Sequence, residues 1–170
     1  MVYDKEIQSG QITLSNSKLE ANLAYKSSHS YIYIEKYIYR KFEDKYVSAG
    51  RFDFAIPEAM PIITLLIETS NTRQKTEYIY PSGKIKFVST ASGDSIILKK
   101  HELQKGKWYE HNNSITIHLN EMPAVISLIH RALTASTMIN WQNIEPITQP
   151  QLPVMSGQEY INKILSGFKH

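Results

Sequence analysis

Residues 52–68, FDFAIPEAMPIITLLIE, are repeated in outline by residues 115–131, ITIHLNEMPAVISLIHR, and this duplication limits the possible folds more than any other property of the chain. Phe52, Phe54 and Ile56 align with Ile115, Ile117 and Leu119, and Glu58 aligns with Glu121. A one-residue gap then brings Met60-Pro61 onto Met122-Pro123. Behind that pair, Ile63, Leu65, Leu66 and Ile67 match Val125, Ser127, Leu128 and Ile129. Each copy runs from a period-two strand through a glutamate into an apolar helix. Glutamate and proline both suit a helix start, the first through the macrodipole and the second because it lacks an N–H that would be unpaired there. Asn120 is a candidate N-cap.

Four strand-like runs precede each helix. They are residues 11–15, 21–26, 30–42 and 51–56 in the first half, and 84–90, 94–101, 106–110 and 114–119 in the second. Breakers separate them at Asn16-Ser17, Ser27-Ser28, Ala49-Gly50, Ser82-Gly83, Ser92-Gly93-Asp94 and Asn112-Asn113. Short strands joined by tight turns make antiparallel meanders. The expected fold is therefore α+β: two tandem β4α repeats, about 9–70 and 84–141, with antiparallel sheets packed on two apolar helices. Residues 1–142 form one domain. Residues 143–170 supply a linker with Pro146, Pro150 and Pro153, then a short helix whose Ser156 and Glu159 fit a capping box.

The helices are apolar nearly all round, where a surface helix needs a single stripe. Ile62, Ile63, Leu65, Leu66 and Ile67 crowd the first. The surplus face implies a partner, either the sister helix or another subunit, and so a homo-oligomer with helices at its centre.

The strand Tyr31–Tyr39 is the richest in chemistry. Alternation puts Ile32, Ile34 and Ile38 on one face and Tyr31, Tyr33, Tyr37 and Tyr39 on the other. Lys36, Arg40 and Lys41 accompany them. Tyrosines on a face the core does not need can stack bases, and the adjacent cations can follow phosphates. The same row also suits cross-strand pairing or a protein interface. The second half adds Lys84, Lys86 and Phe87 on one strand, Lys99 and Lys100 on the next, and Lys105, Lys107, Trp108 and Tyr109 after it. Net charge is +3, but residues 71–109 carry eight basic side chains against three acidic ones, while each flank is slightly acidic. A local basic stripe is what a nucleic-acid face leaves; a solvated strand face with edge lysines has the same composition.

Several classes are excluded. There are no cysteines, hence no disulfides and no thiolate metal site. The six histidines show no metal-ligand spacing, no aspartates are paired for acid–base or two-metal work, and no phosphate-loop or nucleophile-elbow glycine pattern occurs. No enzyme activity, cofactor or metal is expected. No apolar run is long enough to span a membrane. The expected location is the cytoplasm or a host-cell interior, a mature organellar protein being the other option.

In collinear order, SGQITLS (9–15), YRKFEDKYVSAGRFDFAIPE (39–58), IKFVSTASGDSIILKK (85–100) and ITIHLNEMPAVISLIHRALTASTMINW (115–141) resemble the Whirly family of single-stranded DNA-binding proteins. The fold is shared with the kinetoplast guide-RNA-binding proteins and, as a single repeat, with the positive-cofactor-four coactivator. The family's opening motif is K-G-K-A-A-L-S. Gly10, Leu14 and Ser15 are kept, and Ser9 and Gln11 replace both lysines. The resemblance implies a homotetramer with a helical core and sheets outside. It implies sequence-tolerant binding of single-stranded DNA, which points to replication, recombination or repair; the lack of a plant-type targeting stretch adds the expectation of a bacterial, phage or viral relative. An RNA-binding or annealing protein, and an interaction module that uses its tyrosine face, are the competing readings.

Overall fold

The computed structural model describes residues 2–147, so the expected C-terminal helix at 156–168 lies outside the described residues. Eight strands form a single antiparallel sheet: β1 (Lys5–Thr13), β2 (Ser17–Lys26), β3 (His29–Arg40), β4 (Lys45–Ala55), β5 (Thr76–Ile79), β6 (Ile85–Ser92), β7 (Ser95–Gln104) and β8 (Lys107–His118). Helix α1 (Ala59–Thr72) follows β4, and α2 (Met122–Ser136) follows β8. The spatial order is β1-β2-β3-β4-β8-β7-β6-β5, two meanders placed back to back. The fold is thus α+β with two β4α units, as the repeat predicts, but the sheets are fused into one.

The fusion is narrow. β4 and β8 share one ladder pair, Arg51 with Ser114. These two positions are also equivalent in the repeat, 63 residues apart, so the internal two-fold axis passes between them. Gly50 lies at φ +151°, and a Cβ there would sit 3.3 Å from the Ser114 carbonyl oxygen. Its missing side chain lets the strands touch. Beyond the pair they diverge, and the Asn113 side chain spans the gap: its Oδ1 accepts from the Asp53 N–H at 2.8 Å and its Nδ2 donates to the Asp53 carbonyl at 2.8 Å. Asn112-Asn113 is therefore not a turn. It belongs to a bulge within one long strand, where three β8 residues face Lys100 alone. Ala49-Gly50 is likewise a bulge inside β4. The second unit still has four strands because it begins with β5, ahead of the expected start at residue 84, while the expected strands 106–110 and 114–119 merge into β8.

Both helices cover one face of the sheet, and they cross over. α1 leaves β4 at the seam and packs on β5, β6 and β7, whereas α2 leaves β8 and packs on β1, β2 and β3. Each unit thus closes the other's core. Leu19, Leu23, Ile32, Ile34, Phe52, Phe54, Phe87, Ile96, Leu98, Ile115 and Ile117 point at the helices and are buried. Gly10 permits a close approach too; a Cβ there would meet Leu128 of α2 at 3.0 Å. Crossed packing, with contact between α1 and α2, accounts for most of the apolar surplus. Met60 and Ile67 stay exposed, and Ile67 borders a groove also lined by Leu119, Pro123 and Ile126.

The structure also corrects the repeat. Without any gap, Ala59, Ile62, Leu65, Leu66 and Thr69 of α1 fall on Met122, Val125, Leu128, Ile129 and Ala132 of α2, and all ten are buried. The Met-Pro match is coincidental, since Met60 is 52% exposed and Met122 only 5%. Each glutamate turns back onto its own strand. Glu58 Oε2 accepts from the Ala55 N–H and Glu121 Oε2 from the His118 N–H, both at 3.0 Å. Both carboxylates are buried, so local hydrogen bonding explains them better than a solvent-exposed dipole effect. Asn120 is not the N-cap of α2. It lies in a single 3-10 turn, Leu119–Glu121, and Glu121 takes the capping position.

Candidate nucleic-acid interface

The helix-free face of the sheet is open. Its first half holds the tyrosine row, which the structure divides in two. Tyr33 is 6% exposed. Tyr3 lies on it with ring centroids 5.9 Å apart and planes 3° from parallel, and the Arg51 guanidinium sits 3.6 Å from its centroid. The Tyr3 hydroxyl donates to Asp53 at 2.6 Å, and Arg51 pairs with Asp53 at 2.9 Å. Tyr31 packs beside Tyr3 at 5.6 Å. Burial, then the Asp53 acceptor, pushes the Tyr3 hydroxyl far up, and burial does the same to Tyr33. This end of the row is a packed polar cluster.

The other end is accessible. Tyr37 is half-buried with the Lys18 ammonium 4.5 Å above its ring. Tyr39 and Tyr46, 36% and 39% exposed, meet at 5.3 Å and 57°. They pair because β3 and β4 form one hairpin in which Tyr39 faces Tyr46. Arg40 is exposed and paired with Glu43 at 2.9 Å, while Lys41 lies exposed in the turn.

On the far side of the seam, Lys86 lies 4.7 Å from the Trp108 centroid and 3.8 Å from Glu77. Lys99 pairs with Glu110 at 2.8 Å. His101 lies between Lys86 and Lys99, and its Nδ1 has no hydrogen-bond partner. Burial first, then Lys86, holds it below the usual histidine range. Lys84, Lys105 and Lys107 are exposed around the β5–β6 and β7–β8 turns. Tyr109 is exposed and alternates away from Trp108.

Like Tyr109, the expected site residues Phe87, Lys36 and Lys100 turn the other way. Phe87 is fully buried, 5.9 Å from Phe52, where no base can reach it. Lys36 lies on the helix side, bonding Glu121 at 2.8 Å and the Thr116 carbonyl at 3.2 Å. Lys100 holds the matching position in β7 and lies over Phe87 at 6.0 Å, its charge felt by Glu58. The two glutamates differ accordingly. Burial alone would push both up. At Glu121 the Lys36 ammonium, the His118 N–H and the Ser17 hydroxyl outweigh it and hold the carboxyl below its usual range. At Glu58 burial wins and the carboxyl is raised.

Because β4 and β8 are antiparallel, their hairpin tips lie at opposite ends of the sheet. The exposed aromatic and basic groups form a diagonal track from Tyr39 and Tyr46, over Arg51, to Trp108 and Lys84. With the two bulges discounted, the partner strands give eight ladder steps from Tyr46 to Trp108, four from Tyr39 to Glu35 and four from Lys99 to Leu103, a length of about 26 Å at about 3.3 Å per residue. Among the described residues, Lys41, Lys84, Lys105 and Lys107 have no carboxylate within 4.0 Å, so uncompensated charge concentrates at the two ends. Lys18, Tyr46 and Arg51 escaped the sequence reading because they join the site only through register. The alternation of Tyr46 with Ser48 was the available signal.

No protein-family model and no curated protein matches the sequence. Solved structures similar to this fold include Whirly proteins, the family that the sequence resembles. WHY1 from Arabidopsis thaliana is 13% identical, covering 81% of this chain and 93% of that chain, with a TM-score of 0.38. The plant transcriptional regulator PBF-2 is 13% identical over 97% of each chain, with a TM-score of 0.38. A guide-RNA-binding protein complex bound to a gRNA is 10% identical, covering 79% of this chain and 91% of that chain, with a TM-score of 0.36.

Proposed function

We propose that this chain binds single-stranded DNA, with little sequence preference, along the diagonal track on its helix-free face. The observation that carries the proposal is the pairing of solvent-facing rings (Tyr37, Tyr39, Tyr46 and Trp108) with lysines and arginines on one side of a sheet whose core needs only the other. Rings supply stacking worth roughly 1–3 kcal/mol per base whatever the base. Cations supply phosphate neutralisation, which makes affinity fall with salt. On this reading the chain would protect or present single strands in replication, recombination or repair. Association through Met60, Ile67 and the groove beside Ile126 would place helices inside an oligomer and leave the tracks outside; a tetramer is the form we favour.

Fluorescence anisotropy with labelled oligo-dT, matched RNA and duplex DNA, at low and moderate salt, tests the reading. Tight, salt-sensitive binding to oligo-dT over duplex is expected. Preference for the RNA would assign the track to RNA instead. No binding at low salt to any of the three would refute a nucleic-acid role.

A further inference from the structure

The β3–β4 hairpin runs past its neighbours. The last β3 residue in register with β2 is Ile38, which faces Ser17, and the Tyr39 N–H still donates to the Asn16 carbonyl at 3.2 Å, so the hairpin projects beyond β2 from Arg40 onward. At the tip stands Phe42, 107% exposed, the most exposed of the large apolar side chains described. One exposed apolar residue is ordinary on a protein surface. The position of Phe42 is not ordinary, because it stands in the turn just beyond the Tyr39 and Tyr46 end of the aromatic track and outside the track itself. The tip is also braced. Glu43 takes Arg40 at 2.9 Å and Lys45 at 2.6 Å, the Tyr39 hydroxyl bonds Asp44, and the Glu43 N–H donates to the Arg40 carbonyl at 3.1 Å. Glu43 thus holds Arg40 and Lys45 at the base of the turn that carries Phe42, and Lys41 precedes Phe42 in the chain. The equivalent tip of the second unit is Lys105-Gly106, with no apolar residue in the turn.

We propose that Phe42 is a wedge that separates paired strands where a bound single strand enters a duplex. The proposal rests on the single-strand reading above. With a strand held on the track, its duplex end would arrive at the hairpin tip. There the ring can insert between the last base pairs and replace their stacking, as apolar wedges do when they unstack a base step. Arg40, Lys41 and Lys45 are placed to meet the phosphates on either side. The chain would then open fork ends and weak hairpins without fuel, driven by binding, and its two track ends would be functionally unequal.

The test uses the full chain with a fluorophore–quencher forked duplex bearing an oligo-dT arm, alongside anisotropy on oligo-dT alone. Phe42→Ala should keep oligo-dT affinity within about twofold and lose roughly tenfold in fork opening, the value of one stacking ring. Phe42→Trp should open the fork as the parent does. The wedge is overturned if Phe42→Ala opens the fork normally, if it loses both activities in parallel, or if the parent binds oligo-dT yet leaves the fork closed. If the parent does not bind oligo-dT, the single-strand reading fails and the wedge falls with it.

Discussion

Glu58 and Glu121 occupy the same place in the two repeats, and substituting each by glutamine should have opposite effects. Glu121 accepts from Lys36 at 2.8 Å, Ser17 at 2.9 Å and the His118 N–H at 3.0 Å. The Lys36 and Glu121 side chains are only 12% and 7% exposed, so water screens the pair little. Glu121→Gln keeps the shape, discharges the carboxylate and leaves a buried ammonium against an amide. A charged hydrogen bond is worth about 1.5–3 kcal/mol, and stranding a buried charge adds to that. We expect a loss of about 2 kcal/mol at pH 7. With a urea slope of about 2 kcal/mol per molar, the midpoint should fall by about 1 M. Glu58 has one backbone donor and a raised carboxyl, so ionising it opposes folding. Glu58→Gln should be neutral or slightly stabilising at pH 7.

The pH dependence separates the two further. The Glu121 carboxyl is depressed, so its contribution is present above the unfolded value near 4.3 and is lost as pH falls through the lower folded value. The Glu121→Gln deficit should therefore shrink toward pH 3. The Glu58 carboxyl is raised, so the cost of its charge appears as pH rises through its folded value. Any advantage of Glu58→Gln should vanish near pH 4. Urea titrations followed by tryptophan fluorescence and circular dichroism at several pH values read both effects. Equal losses at the two sites at pH 7 would refute the reasoning.

Other outcomes follow from the seam and the open face. Gly50→Ala places a Cβ 3.3 Å from the Ser114 oxygen at a φ that L-residues avoid, and should cost about 1–3 kcal/mol in urea unfolding. Asn113→Ala orphans the N–H and carbonyl of Asp53 and should cost about 2 kcal/mol by the same measurement. Tyr39→Ala and Tyr46→Ala should each weaken oligo-dT binding by about tenfold with little change in melting temperature. Tyr33→Ala should lower the melting temperature first, because that ring lies beneath Tyr3 and Arg51. Ile67→Asp should reduce the apparent mass in sedimentation if the helices form the oligomer contact.

The fold was legible because the duplicated junction and the alternation in β3 are local signals. Phe52, Phe54, Ile115 and Ile117 were identifiable as core from period alone. The errors share a cause. Asn112-Asn113 and Ala49-Gly50 have turn chemistry, yet both are bulges, and bulges are stabilised by contacts across a seam between residues about 60 apart. The Met-Pro match pulled the repeat out of register because identity is a weaker guide than burial over so short a stretch. Within the site, side alternation placed Tyr31, Tyr33, Tyr37 and Tyr39 on one face correctly. It could not show that Tyr3 folds over Tyr33, since β1 pairs with β2 and reaches β3 only through tertiary packing. Lys36 and Lys100 looked like phosphate ligands by type. Their parity already pointed toward the helices, and that signal was outweighed by charge.

The central claim is that single strands run over the helix-free face. Photocrosslinking with oligonucleotides carrying 5-iodouracil, followed by mapping of the adducts by mass spectrometry, tests it directly. The account predicts adducts on Tyr37, Tyr39, Tyr46 and Trp108, competed away by unlabelled oligo-dT and by salt. Adducts confined to α1, α2 or the buried side of the sheet would contradict it.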